Sequence, residues 1–95
     1  GNMMALLGTA EDENLLEQGM EYLKRFMERI YPGNDLQIIG PASPAVSKVK
    51  DSHRRMIFVK HESYQILTKI KNQLERYMEI NSGYDHITVQ FDFNT

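Results

Sequence analysis

Residues 36–60 read LQIIGPASPAVSKVKDSHRRMIFVK. Two short apolar runs, at 36–39 and 56–59, flank a connection that holds Gly40, Pro41 and Pro44. Each run is too short for a stable helix and is bounded by turn formers, so the pattern predicts two successive strands. That direct succession decides the fold, because the segments on either side alternate strand with helix.

Upstream, MMALLG at 3–8 is apolar and closed by Gly8, which predicts a first strand. Thr9, three residues before Asp12, predicts the cap of the next helix, and the acids at 11–13 suit the positive end of its dipole. Leu16, Met20, Leu23, Met27 and Ile30 recur at spacings of three and four, so they share one helical face. Gly19 on that helix permits close approach to a sheet, and YPGND at 31–35 ends it. Downstream, Glu62 or Ser63 offers a cap. Leu67, Ile70 and Leu74, continued by Tyr77 or Met78, form a second apolar face that ends near Ser82 and Gly83. HITVQFDF then alternates. Ile87, Val89, Phe91 and Phe93 point one way, and Thr88, Gln90 and Asp92 the other.

The order strand, helix, strand, strand, helix, strand predicts an α+β ferredoxin-like βαββαβ sandwich. Two helices cover one face of a four-stranded antiparallel sheet. Right-handed crossovers place the first and third strands in the centre and leave the second and fourth as edges. The connection at 40–55 is then long for a hairpin, and long connections commonly carry function.

Bulk properties narrow the function classes. A chain of 95 residues suits one small domain. Gly1 and Asn2 read as a remnant of tag cleavage, and residues 3–95 as a single domain cut from a longer protein. The lack of cysteine excludes a disulfide framework and fits a reducing compartment. No secretory signal or membrane-length apolar run is read. Charge is uneven within a net of −2. Residues 39–60 carry five Lys/Arg against one Asp/Glu, whereas residues 1–38 carry three against seven. A cationic connection on an acidic protein points to a local attractive field for something negative.

Little points to catalysis or metal. No phosphate-binding Walker motif is present. His53, His61 and His86 are too scattered for a metal site, and His61 reads as a strand-boundary residue. Asp51, Ser52 and His53 supply the residue types of a hydrolase triad. Neighbours in sequence cannot make nucleophile, base and orienting acid converge. The candidate phosphate contacts are Lys48, Lys50, Arg54 and Arg55, with Lys60 in support. Of five tyrosines, Tyr64 and Tyr84 are the freer candidates for stacking on bases.

The run from Gly40 to Asp51, GPASPAVSKVKD, followed by Arg54 and MIFVK, resembles the C-terminal domain of primosomal protein N-prime (PriA), the bacterial replication-restart helicase. The closing VQFDFN resembles that family's last strand. Ser52 and His53 stand where the family usually has Arg and Tyr. Arg55 and Met56 replace an aromatic and Gln, and Thr95 stands where Pro commonly follows. The resemblance implies a cytoplasmic, non-catalytic accessory module with a ribosomal S10-like fold, assisting DNA binding at forks or on single strands. It implies no cofactor in this segment; the parent family uses ATP, magnesium and zinc in other domains. It also implies contact with the remainder of the helicase and with the acidic tail of single-stranded-DNA-binding protein. Two alternatives stand beside it. In one, the basic connection docks on other domains of the same helicase. In the other, the fold is a regulatory domain binding a small molecule near LGTAED at 7–12.

Overall fold

The first strand, β1, spans Asn2–Ala10 in the computed structural model, which describes residues 1–94. Thr95, where the family resemblance departs, lies outside the described residues. The strand does not stop at Gly8, because ladders on both sides continue past it. Thr9 pairs with Arg54 on one side and Thr88 on the other. With Thr9 held in the sheet, the cap of helix α1 (Glu13–Ile30) falls to Asp12, whose side chain accepts from the Leu15 N–H at 3.0 Å. Gly8 suits close helix packing, since a Cβ there would lie 2.5 Å from Met20 Sδ.

Strand β2 spans Gln37–Ala42 and so runs through Gly40 and Pro41, with a register shift between Ile39 and Ala42. Gly40 sits at φ +108°, and a Cβ there would lie 2.6 Å from the Met56 carbonyl oxygen. Glycine is therefore required, and proline is tolerated because this strand is an edge. The connection expected at 40–55 is largely ordered. A two-residue strand β3, Lys48–Val49, folds back on β4, Ser52–His61, pairing Lys48 with His53 and Val49 with Ser52. Helix α2, Tyr64–Ile80, is capped by Ser63, and a single 3-10 turn at Ser82–Tyr84 leads to β5, Thr88–Asn94.

The main sheet order is β2-β4-β1-β5, all antiparallel, with β3 attached to β4. The two long central strands and two edges match the arrangement expected from handedness. The fold is α+β and ferredoxin-like, with both helices on one face of the sheet. Met4, Leu6, Ile57 and Val59 from the sheet meet Leu16, Met20, Leu23, Met27, Leu67, Ile70 and Leu74 from the helices, and all are buried. Each such side chain contributes roughly 1.5–3 kcal/mol on leaving water. Among the described residues no helix is long and apolar enough to cross a membrane.

Strand parity follows from this core. Odd-numbered residues of β4, from His53 to His61, face the helices. Even-numbered residues, from Ser52 to Lys60, face the other side of the sheet, which the helices leave uncovered.

Candidate nucleic-acid interface

The basic segment becomes a hairpin whose turn is Lys50–Asp51. Lys50 adopts φ +56°, a left-handed conformation that costs a non-glycine residue about 1 kcal/mol. The turn points Lys48 and Lys50 into solvent. Arg54 secures its base. Its N–H donates to the Ser47 carbonyl at 2.8 Å, and its Nη1 donates to the Val46 carbonyl at 2.9 Å. Arg54 is half-buried and is both a cation and a tether.

Arg55 has a different fate, and here the structure corrects the sequence reading. Parity turns it towards α1, where its side chain is only 12% exposed. Nε donates to Glu17 Oε2 at 2.7 Å, Nη2 to Glu13 Oε2 at 2.8 Å, and Nη1 to the Arg54 carbonyl at 2.9 Å. Those bonds raise the guanidinium further above its ordinary value despite burial. The Arg55 hydrogen bond, and then the nearby charge of His53, hold Glu13 below the usual carboxylate range. His53 Nδ1 lies 3.7 Å from the same carboxylate. Arg55 thus clamps β4 to the first turns of α1, and its charge is satisfied within the chain. Among the described residues Lys48, Lys50, Arg54 and Lys60 make no ion pair.

Lys60 does not join the hairpin group. It is exposed on the uncovered face, six residues along β4 from Arg54, which is about 20 Å in an extended strand. Ser52 and His53 point to opposite faces of β4, so Asp51, Ser52 and His53 form no triad. The tyrosines also separate. Tyr84 donates from Oη to the Gly19 carbonyl at 2.6 Å and meets Tyr77 edge-on at 5.9 Å between centroids. Burial pushes its phenol far above the ordinary value. It therefore anchors the 3-10 turn to α1, and its hydroxyl is committed there. Tyr64 remains 48% exposed, tilted against Phe93 at 5.2 Å, beyond the opposite end of β4 from the hairpin.

A polar cluster escaped the sequence reading. His61 is 8% exposed, not a surface residue. Its Nδ1 accepts from the Ser63 N–H at 2.8 Å, which assigns the ring hydrogen to Nε2. Nε2 lies 3.0 Å from Tyr31 Oη and 3.2 Å from Asp35 Oδ2, and Tyr31 Oη donates to Asp35 at 3.1 Å. A bond from its own backbone N–H, then those from Tyr31 and His61, hold Asp35 below the usual range. Burial, then Asp35, raises Tyr31. The cluster latches the α1–β2 connection to the β4–α2 junction. Only the helix stop at Tyr31–Pro32 hinted at it in the sequence. Among the described residues no group of three or more His, Cys, Asp or Glu is placed to hold a metal.

The LGTAED segment is no ligand turn, since its glycine lies within β1 beneath Met20. A groove of about 880 Å³ lies between α2 and β5 and is lined in part by Arg76, Met78, Glu79, Val89 and Phe91.

Compared with family models and with curated proteins, the chain gives no match. Solved structures are similar. The de novo designed protein Foldit4 superposes with a TM-score of 0.74 at 11% identity, over 99% of this chain and 96% of that one. A de novo designed protein with ferredoxin fold, LFR1 1, gives 0.57 at 18% identity, over 99% and 84%. Likeness at such identity concerns the fold and carries no function.

Proposed function

We propose that this domain is a non-catalytic accessory module of a primosomal replication-restart helicase, and that it holds nucleic-acid phosphates through the β3–β4 hairpin. The reading rests on one observation: a hairpin anchored by Arg54 presents Lys48 and Lys50 to solvent in no ion pair among the described residues, with Glu13 close enough to feel the Lys48 charge. The resemblance of residues 40–60 to the PriA C-terminal domain supplies the parent and its cytoplasmic setting. The contacts are to phosphates and carry no base information. Acidic Glu11, Asp12 and Glu13 follow β1 at this same end of the sheet, so the hairpin's field is local and modest.

The test is fluorescence anisotropy of a labelled fork against salt. Two to three phosphate contacts give a log–log slope of about −2 to −3 on duplex, so affinity falls roughly 10- to 40-fold between about 50 and 200 mM salt. Changing both Lys48 and Lys50 to alanine is expected to flatten the slope by about 2. Equal slopes for the two proteins eliminate the hairpin as the contact.

A further inference from the structure

The sheet face opposite the helices has an apolar centre. Cross-strand register sets Ile39, Phe58 and Ala5 in one row, and Met56 beside Leu7 in the next, with Met3 beside Lys60 on the other side. Ile39 is 41% exposed, and Met3, Leu7, Met56 and Phe58 are partly exposed. Lys60, Gln37, Gln90, Asp92 and Thr9 surround them. An apolar centre with a polar rim is the anatomy of a protein interface, and aliphatic and methionine side chains there outnumber the single aromatic that a base would stack on.

We propose that this face binds a second copy of the chain, sheet against sheet. Area supports that occupant. Strands of 10, 9, 7 and 6 residues, about 4.8 Å apart at about 3.4 Å per residue, give a face of roughly 520 Å². Two such faces bury about 1,000 Å², the lower limit for a biological interface and the size of a weak, reversible one. Charge supports it as well. Lys60 and Asp92 border the apolar centre on two adjoining sides, Lys60 on β4 one row beyond Phe58, and Asp92 on β5 level with Ala5. A two-fold axis in the plane of the interface, along the line that bisects those two residues, passes over the apolar centre. It stacks one apolar patch on the other and sets each Lys60 against the second copy's Asp92. The two sheets then cross at a steep angle, one of the two arrangements that packed sheets adopt. The edges are not needed for this contact, and the hairpin remains free.

Sedimentation velocity from about 1 µM to about 1 mM measures the association directly. A monomer–dimer equilibrium is expected within that range. Phe58→Lys and, as the variant least able to disturb folding, Ile39→Lys should each weaken it at least about 30-fold, as interface hot spots do. Circular dichroism checks that both remain folded. Lys60→Glu and Asp92→Lys should each weaken the dimer about 3- to 10-fold, and the double exchange should return it to within about twofold of the starting value. A monomer at every concentration overturns the proposal. So does a dimer that neither Ile39→Lys nor the charge exchanges alter, which would assign association to the β5 edge.

Discussion

Replacing Arg55 with alanine tests whether two adjacent arginines really do different work. The substitution removes hydrogen bonds of 2.7, 2.8 and 2.9 Å. Breaking a fully buried ion pair from one side costs about 3–5 kcal/mol, whereas an exposed pair contributes less than about 1 kcal/mol. Arg55 is 12% exposed, but Glu13 and Glu17 are 54% and 46% exposed, so water takes over most of what the carboxylates lose. The expected loss is therefore intermediate, about 1–2 kcal/mol. In a domain of this size it lowers Tm by roughly 5–12 °C. The assay is thermal unfolding followed by circular dichroism at neutral and acid pH. Glu13 is held below its ordinary value, so its contribution is present above that value and is lost as pH falls through the folded one. Below about pH 3 the gap between wild type and variant should shrink towards the packing of the arginine stem alone. A neutral-pH melt within about 1 °C of wild type, or a gap undiminished in acid, refutes the clamp.

Other outcomes are equally specific. Lys50→Gly relieves the left-handed turn residue and should stabilise the fold by about 0.5–1 kcal/mol in urea denaturation, while weakening fork binding. Tyr84→Phe should cost about 1 kcal/mol at neutral pH through the lost bond to the Gly19 carbonyl. Because the folded phenol titrates above its ordinary value, its stability is complete below about pH 10 and lost as pH rises further, so the variant's alkaline melting curve should be flatter. Gly8→Ala forces a methyl against Met20 and Leu16 beneath α1 and should cost about 1–3 kcal/mol by the same denaturation measurement.

The elements were legible because burial repeats locally. Leu16, Met20, Leu23 and Met27 mark their helix by spacing alone, and Ile87, Val89, Phe91 and Phe93 mark their strand. The errors fall where a distant partner overrode a local signal. Thr9 looked like a cap, but two neighbouring strands hold its backbone in the sheet. Pro41 looked like a stop, yet an edge strand needs no N–H on its open side. The candidate site was legible as a cluster of cations and illegible as individual roles.

From the amino-acid order come two helices, four long strands, their succession, and a positively charged link between the middle pair. Handedness then leaves one sensible sheet order. Tertiary structure decided which cations stay available. Arg54 and Arg55 are neighbours with identical side chains, yet the pleat sends one towards the link and the other onto Glu13 and Glu17, about forty residues away in sequence. His61 likewise meets Tyr31 and Asp35 only because the α1–β2 connection folds over the end of β4. Periodicity is a property of neighbours along the chain, whereas charge pairing depends on which residues the register and the helix packing bring together.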